Sequence, residues 1–476
     1  MPQKSNRRTL AGTDAHTAGL ETLPSMTVLL KEAATSGLIK CYGDGAVKMA
    51  IRQALDESRS ALLAGKGTVV PAVPQLIERA EQTLSRLCDT DKARAVNATG
   101  ILLHTGLGRA PLCDDALRRL SSFDHYSPLQ VDLASGKRSL REERIERILQ
   151  ELTGCEAATV VNNNAAATML VLNTLANGKE AVISRGQLIE IGGEFRIPDV
   201  MARSGTIMRE VGTTNRTHLR DYESIIADVT GVIVHVHTSN YTIKGFTGTP
   251  SIRELCEMRR KVNPVLPVLD DIGSGALVSL LEFGLPDEPL VKESLVAGAD
   301  LVCFSGDKLI GGPQSGIICG KRQLIEKIRK NPFARMFRIC KMTVSALEAT
   351  LLHFLNGTYR SAIPLYRMLS VDIVTLEAEA KRVMKEVGPF AGMSMEIVDE
   401  LSYVGSGSAP DQGIPSKVLR VSGIDGKRDP TKTAATLRSS SPPILCRVAK
   451  DALLFDMRTL LPGDAELLTA ALRKIL

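Results

Sequence analysis

One lysine stands where a buried strand is expected to end, inside a glycine-rich segment. The segment Ser305–Pro313 reads SGDKLIGGP and directly follows the apolar run Leu301–Phe304. Open α/β sheets place their ligands at the carboxyl ends of strands. A lysine amine forms Schiff bases and becomes nucleophilic when burial or a cationic neighbour lowers its pKa. We therefore interpret Lys308 as such an amine, with glycines that admit a ring and a phosphate; a lysine in a surface loop is the alternative.

Two aspartates end the preceding expected strand, Leu266–Asp271. A carboxylate at this point suits the protonated nitrogen of a pyridinium ring, because the ion pair strengthens the ring as an electron sink. Side chains alternate across a strand, so only one of Asp270 and Asp271 faces the site. Both remain candidates on this pattern, and a plain turn before the following glycine is the alternative.

A run of small polar residues follows the expected strand Ala157–Val161. It reads Asn162-Asn163-Asn164-Ala165 and opens an apolar helix. Such a strand-to-helix turn offers backbone N–H groups and the positive end of a helix to a phosphate. Simple helix capping needs one asparagine only, so capping and anion binding both remain open.

Arginines and histidines form a third group of candidates. Arg109 lies in HTGLGRAPL, and Arg335 and Arg338 lie in NPFARMFR. Arginine matches phosphate-like oxyanions with two hydrogen bonds at a time, although each of the three can instead be an exposed or structural arginine. His235 and His237 share one face of an expected strand, and neither brings a further ligand at zinc-site spacing, so no metal site is predicted.

Size and composition indicate a soluble protein of several domains. The chain has 476 residues, and single cores stop growing at about 250–300 residues. Its longest apolar runs are far shorter than the roughly 20 residues that cross a bilayer, so no membrane span is predicted. Nine cysteines without a CxxC pair indicate reduced thiols and a cytoplasmic protein. The net charge of +6 mildly favours a polyanionic partner.

The hydrophobic pattern divides the chain into four parts. Residues 1–22 form a polar, flexible extension, and 23–90 show helical spacing, as in Val47, Ile51 and Leu55. Residues 91–340 alternate β-rich runs with helical stretches, which predicts an α/β core with a mainly parallel sheet. Residues 341–476 read as a linker helix and an α+β domain with a small antiparallel sheet. The expected core strands are Ala157–Val161, Ala181–Ser184, Gly231–His237, Leu266–Asp271, Leu301–Ser305 and Gly316–Cys319.

Taken together, these motifs resemble the bacterial L-seryl-tRNA selenium transferases, also called selenocysteine synthases. The resemblance covers nearly the whole chain in long, collinear segments. They include VNATGILLHTGLGRAPL (96–112), VVNNNAAAT (160–168), ISRGQLIEIGGEFRIPDVM (183–201), VGTTNRTHLRDY (211–222), VHTSNYTIKGF (236–246), DDIGSGAL (270–277), FSGDKLIGGPQSGII (304–318), VGSGSAPDQGIPS and DMRTLLP.

The resemblance implies a fold type I, aminotransferase-like enzyme with a seven-stranded, mainly parallel sheet. Such an enzyme uses pyridoxal 5'-phosphate and selenophosphate to convert seryl-tRNA(Sec) to selenocysteinyl-tRNA(Sec) through an aminoacrylyl intermediate. It would assemble as a homo-oligomer, with a decameric ring of dimers as the expected form, and bind tRNA through the helical residues 23–90. In this interpretation Lys308 and Asp307 are catalytic, Arg109, Arg335 and Arg338 bind the selenophosphate-like anion, and the cofactor contacts Lys308, Asp271, Asn163, Asn164, Ala165, His237 and Ser305.

The preference for Asp271 over Asp270 comes from the similar D-x-x-x-G strand ends of related folds. Two positions depart from the commoner family pattern: Gly106 stands where HTNLGR is more frequent, and Glu194 stands where GGSFRIP is more frequent. A negative charge at Glu194 would weaken a nearby anion site. Two rival functions are a pyridoxal-phosphate lyase that acts on a free amino acid or amino sugar acid, and an inactive tRNA-binding scaffold.

Overall fold

The computed structural model describes residues 22–64, 70–88, 94–193, 195–286, 288–389, 392–423, 429–449 and 451–475. It divides into two compact units, with the boundary between Arg94 and Ala95. The extension expected at residues 1–22 lies outside the described residues except for Thr22, and Glu194 also lies outside them.

The first unit is helical in its described part. Ser25 caps the first helix by accepting a hydrogen bond from the backbone N–H of Val28 over 3.4 Å. The stripe that begins with Val47 and Ile51 is buried, as its helical spacing predicted, and it packs against Leu76 and Leu84. The helices are α1 (Met26–Thr35), α2 (Leu38–Tyr42), α3 (Asp44–Leu63) and α4 (Val73–Cys88).

A seven-stranded sheet forms the core of the second unit, and its strand order is β2-β10-β9-β8-β7-β3-β6. Strands β9, β8, β7, β3 and β6 run parallel, whereas β10 is antiparallel to both neighbours. The expected mainly parallel sheet is therefore confirmed. Its strands are β2 (Ala157–Val161), β3 (Glu180–Ser184), β6 (Ile207–Val211), β7 (Thr230–Val236), β8 (Val268–Gly273), β9 (Leu301–Ser305) and β10 (Gly316–Gly320).

The edge strand β6 is one that the sequence pattern did not predict. It reads Ile-Met-Arg-Glu-Val, and only Val211 is buried. Because most of its residues are exposed, β6 lacks the continuous apolar run that marks the buried strands, which include the other edge strand, β2. The strand β9, by contrast, is buried at every position.

Helices cover both faces of this sheet, as an α/β core requires. Helix α7 and its neighbours pack on one face through residues such as Leu170 and Ile325. Helices α6 and α14 pack on the other face through Leu149 and Leu347. The helices of the core are α5 (Asp114–Ser121), α6 (Glu143–Thr153), α7 (Asn164–Ala176), α8 (Ile197–Arg203), α9 (Leu219–Glu223), α10 (Ile252–Val262), α11 (Val291–Ala297), α12 (Arg322–Lys330), α13 (Pro332–Met336) and α14 (Lys341–Leu355).

The C-terminal part contains a five-stranded sheet of order β1-β13-β14-β12-β11. This corrects the expectation of a purely antiparallel sheet, because β1 pairs in parallel with β13. Strand β1 also comes from within residues 91–340, which we expected to form the core. The elements are β1 (Val96–Ala98), β11 (Met393–Gly405), β12 (Ser408–Gly423), β13 (Ile444–Ala449), β14 (Ala452–Asp456), α15 (Tyr359–Ala362), α16 (Pro364–Ser370), α17 (Ile373–Val387), α18 (Pro430–Arg438) and α19 (Asp464–Ile475).

The hairpin of β11 and β12 pairs with the segment that follows β1. The backbone N–H groups of Leu102 and Leu103 donate to the carbonyl oxygens of Tyr403 and Val404 over 2.9 and 2.7 Å. A short ribbon of β4 (Glu190–Ile191) and β5 (Phe195–Arg196) lies between β3 and α8 in the chain. None of the helices in the described parts of the chain is both long and apolar enough to span a bilayer.

Candidate active site

Lys308 lies in the turn that follows strand β9, at the carboxyl end of the parallel strands. The turn is held by the N–H of Gly306 bonded to the Ser315 carbonyl and by the N–H of Gly311 bonded to the Lys308 carbonyl, both over 2.9 Å. Position 306 needs glycine, because an added Cβ would collide with the Ser315 hydroxyl and lie 3.0 Å from the Pro313 carbonyl oxygen. The result is a lysine that is only 6% exposed.

The surroundings of Lys308 favour a neutral amine more than water does. Burial lowers the pKa of the Lys308 amine, and the positive charge of Arg109 lowers it further. The carboxylates of Asp271 and Asp307 act in the opposite direction. The pKa of this amine is lowered overall, which is the condition for a lysine to act as nucleophile or base.

Asp271 is the aspartate that faces the same side as helix α7. Its carboxylate accepts hydrogen bonds from the Asn164 side-chain amide and the Thr168 hydroxyl, each over 2.8 Å. Burial raises the pKa of Asp271, whereas these hydrogen bonds and the charge of Lys308 lower it. A buried carboxylate with two donors has a fixed orientation and can meet a protonated ring nitrogen.

Asp270 faces the opposite side of the sheet. It pairs in register with His235 of strand β7, whereas Asp271 pairs with Val236. The Asp270 carboxylate lies 2.7 Å from the His235 Nδ1 atom. The alternation of side chains along β8 thus separates the two aspartates, and Asp271 is the one near Lys308.

The asparagine run begins helix α7, and its side chains make different contacts. Asn163 caps the helix, since its side-chain oxygen accepts the N–H of Ala166 over 2.8 Å. Asn164 turns its amide toward Asp271, and its own Oδ1 is buried without a hydrogen-bond partner among the described residues. The backbone N–H of Asn162 is used by the Phe337 carbonyl at 2.9 Å. Asn163 therefore caps the helix, and Asn163, Asn164 and Ala165 at its start line the Lys308 cleft.

Lys308, Asn163 and Asn164 line one cleft of about 440 Å³. Arg109 reaches it from the loop before helix α5, and its guanidinium donates to the Asp307 carboxylate over 2.7 Å. The backbone of Arg109 has a φ of 63°, a value that non-glycine residues rarely adopt. The cleft is lined by seven of the residues expected from the sequence: Arg109, Asn163, Asn164, Ala165, Ser305, Asp307 and Lys308.

Four expected site residues lie outside the lining of this cleft: Asp271, which is buried behind it, His237, Arg335 and Arg338. His237 lines an adjoining cavity of about 790 Å³, where its Nε2 atom is 3.4 Å from the Glu288 carboxylate. Its backbone N–H still donates to the Asp271 carbonyl over 2.9 Å. Arg335 and Arg338 are exposed, and the backbone of Arg338 pairs with Val161.

Sequence reasoning missed two polar residues next to these groups. Thr168 was part of a quoted motif, and its helical spacing of four residues from Asn164 was the available signal that both side chains share one face. Glu288 lies in the loop before helix α11, and no pattern in its neighbourhood points to a site.

Comparison with known proteins identifies the chain's relatives. The family model described as L-seryl-tRNA selenium transferase matches residues 95–461. A protein named L-seryl-tRNA(Sec) selenium transferase from Aquifex aeolicus is 42% identical over 92% of this chain and 95% of its own length. Proteins of the same name from Carboxydothermus hydrogenoformans and Methylocella silvestris are 40% and 41% identical, over 96% and 93% of this chain and 97% and 94% of their own lengths.

Among solved structures, D-glucosaminate-6-phosphate ammonia-lyase resembles the chain with a TM-score of 0.57 and 18% identity, over 80% of this chain and 95% of that one. This likeness concerns the fold. The expected aminotransferase-like α/β fold of type I is confirmed. The identities of 40–42% to the named selenium transferases, over nearly the full length of each chain, agree with the family match. The chain belongs to the L-seryl-tRNA selenium transferase family.

Proposed function

We propose that this protein is a pyridoxal-phosphate-dependent enzyme that converts seryl-tRNA(Sec) to selenocysteinyl-tRNA(Sec) with selenophosphate. The observation that carries the proposal is Lys308, a buried amine with a lowered pKa beside the buried carboxylate of Asp271. Relatives that carry the corresponding name match 92% and 96% of the chain.

The residues around Lys308 fit pyridoxal phosphate. Lys308 would hold its aldehyde carbon covalently, and Asp271 would meet its ring nitrogen. The start of helix α7, with Asn163, Asn164 and Ala165 at the cleft, would receive the phosphate, as would Ser305. The buried Oδ1 of Asn164 has no partner among the described residues, which fits a site that awaits a polar group.

The chain's own groups would activate and position the seryl group for its reaction. Bound pyridoxal phosphate supplies an electron sink for the carbon atoms of the seryl group. Lys308 removes the α-proton through its Nζ atom, because its lowered pKa leaves the amine unprotonated more readily. Asp271 would pair with the protonated ring nitrogen of the bound cofactor, and Asp307 holds Arg109 in place at the cleft.

We propose that Arg109, Arg335 and Arg338 bind selenophosphate. Arg109 lines the Lys308 cleft of its own chain, whereas Arg335 and Arg338 do not. We propose that the two exposed arginines serve the cleft of a neighbouring copy in a homo-oligomer, a ring of dimers. Large apolar side chains exposed on the second unit support such assembly: Tyr126, Leu133 and Leu117 are 106%, 79% and 50% exposed.

The helical unit of α1 to α4 is proposed to bind the tRNA part of the substrate. We also propose residues 23–90, 91–340 and 341–476 as the functional divisions of the chain, and a cytoplasmic location. The nine cysteines form no disulfide, which agrees with a reducing compartment.

The direct test is selenium transfer to seryl-tRNA(Sec) by the wild-type protein and by Lys308→Ala side by side. We expect product with the wild type and a loss of more than about 1000-fold with Lys308→Ala, since removal of a covalent catalyst abolishes its route. Lys327→Ala, at an exposed lysine of helix α12, is the matched control. Borohydride reduction and peptide mapping should place the cofactor on Lys308; an adduct on another lysine contradicts the proposal.

The rival function is elimination from a free amino acid. The choice of substrate distinguishes it from the proposed function. Free serine and seryl-tRNA(Sec) are offered to the same enzyme, and turnover is compared. We expect turnover of the charged tRNA only. Equal turnover of free serine would favour the lyase alternative.

A further inference from the structure

Glu288 is a buried carboxylate that contacts two segments beside the Lys308 cleft. It is 5% exposed, and it lines the adjoining His237 cavity. Its Oε1 atom accepts the backbone N–H of Ala409 over 2.7 Å, and its Oε2 atom is 3.4 Å from the Nε2 atom of His237. Burial raises the pKa of Glu288, but the His237 ring and the Ala409 N–H outweigh burial, so the pKa of this carboxyl is lowered overall.

The first segment is the tip of the hairpin between β11 and β12. Ser406 and Ala409 have φ values of 52° and 45°, in the left-handed region that costs energy for residues other than glycine. Such a tip persists only when contacts outside it hold it in place. Ser406 bonds to the Leu103 carbonyl over 2.6 Å, and Ala409 bonds to Glu288. Ser406 and Gly407 line the Lys308 cleft, so the tip forms one of its walls.

The second segment runs from His237 to Asn240, directly after strand β7. The His237 N–H donates to the Asp271 carbonyl, and the Ser239 N–H donates to the His237 carbonyl, each over 2.9 Å. Asn240 lines the Lys308 cleft. The His237 ring is therefore the side chain through which Glu288 reaches a second wall of the same cleft.

The two walls also meet each other. A Cβ atom added to Gly407 would lie 3.3 Å from the Asn240 Cβ and 3.4 Å from the Ser239 hydroxyl. The tip and the His237–Asn240 segment are thus packed together at the cleft. Glu288 accepts a hydrogen bond from Ala409 of the tip and contacts the His237 ring of the other segment. Because a buried charge without partners is costly, its position is tied to both segments at once.

We propose that Glu288 is a positioning residue for the reaction at Lys308, where its carboxylate holds the hairpin tip and the His237 segment and so keeps two walls of the cleft in register. This inference rests on the proposed function, because turnover is one of its measurements. A carboxylate suits the task because it has two acceptor oxygens. A glutamine keeps one acceptor for Ala409 but offers an amide donor in place of the second oxygen.

The experiment compares the wild type with Glu288→Gln and Glu288→Ala in the selenium-transfer assay. We expect kcat to fall about tenfold for Glu288→Gln, which loses the ion-pair contact with His237. It should fall about 100-fold for Glu288→Ala, which also loses the hydrogen bond from the Ala409 N–H. KM for seryl-tRNA should change less than about threefold, because the tRNA is held elsewhere. Glu348→Gln, at another buried acid that bonds Arg119 and Arg144 over 3.0 Å, should leave kcat unchanged.

A double-mutant cycle with His237→Gln tests whether Glu288 changes kcat through its contact with His237. If Glu288 acts through His237, the Glu288→Gln and His237→Gln changes are not additive, and the double variant has the kcat of the slower single variant. Additive effects, or wild-type kcat in Glu288→Gln, overturn the proposal.

Hydrogen exchange gives a second readout that needs no turnover. Amides of residues 237–240 and 403–409 should exchange at least about tenfold faster in Glu288→Gln, while those of strand β9 stay unchanged. Unchanged exchange in both segments overturns the positioning role even where the enzyme is active. A wild-type protein that transfers no selenium contradicts the proposed function instead, and the exchange result then still decides whether Glu288 holds both walls.

Discussion

The guanidinium of Arg109 donates a hydrogen bond to the carboxylate of Asp307 over 2.7 Å, although 198 positions separate the two residues. Asp307 precedes Lys308 in the chain, so a cation and an anion are both held beside the buried amine. The charge of Arg109 lowers the pKa of Lys308, and the charge of Asp307 raises it. The pair therefore controls how readily Lys308 loses its proton, in addition to the larger effect of burial.

Substitutions of this pair should move the pH dependence of kcat in opposite directions. In the proposed function the neutral Lys308 amine acts as the base, so we expect kcat to fall as the pH drops through the pKa of Lys308. Arg109→Gln removes a positive charge and raises that pKa, so the acidic limb moves up by about one pH unit. Asp307→Asn removes a negative charge and moves the limb down. The measurement is kcat against pH; shifts of both variants in one direction would contradict this account.

The two neighbouring aspartates of strand β8 should behave differently when each loses its charge. Asp271→Asn keeps the shape but removes the charge near Lys308, and we expect kcat to fall by about 100-fold or more, as for the loss of a buried electrostatic contact. Asp270→Asn removes the partner of His235 on the other face of the sheet. We expect it to lower the free energy of unfolding by about 2 kcal/mol with a smaller effect on kcat.

The measurements are kcat and the free energy of unfolding in urea, determined in parallel for Asp271→Asn and Asp270→Asn. The same loss of kcat in both variants would mean that the opposite orientations of the two carboxylates have no bearing on the reaction.

The close approach at Gly306 should make this position intolerant of a methyl group. Gly306→Ala places a Cβ against the Ser315 hydroxyl and the Pro313 carbonyl, and we expect a loss of about 2 kcal/mol in the free energy of unfolding. Adding Ser315→Ala removes one of the two clashes and should restore part of that loss. Gly45→Ala, in helix α3 with open space around it, is the control and should not destabilise the protein. A stable Gly306→Ala single variant would contradict the steric argument.

The position of Arg335 and Arg338 outside the cleft of their own chain leads to a mixing experiment. Lys308→Ala and the double variant Arg335→Ala with Arg338→Ala should each be inactive alone. Co-expressed as mixed oligomers, they should recover about a quarter of the wild-type activity, because half of the pairs then contain one intact site from two chains. Recovery is measured as selenium transfer per subunit. No recovery in verified mixed oligomers would mean that the arginines serve their own chain or none.

Much of the fold could be predicted from short-range pattern. The buried strands β2, β3, β7, β8, β9 and β10 each carry a continuous apolar run, because both of their faces are covered by helices. Strand β6 was missed because its residues are mostly exposed at the edge. Strand β1 was assigned to the core, whereas it pairs with β13 nearly 350 positions later, a contact that no local pattern encodes.

The candidate site likewise has features that follow from the local sequence and others that depend on tertiary contacts. The sequence by itself determined that Lys308 follows a buried strand, that two aspartates lie near the end of the strand before it, and that small polar residues begin a helix nearby. These are local features of strand and turn. Only the tertiary structure decided that Asp271 and not Asp270 faces Lys308, that Arg109 meets Asp307, that Arg335 and Arg338 stay outside the cleft, and that Glu288 lies behind it. These depend on which side of a strand a residue faces and on contacts between distant segments, and both are settled when the sheet and its loops pack together.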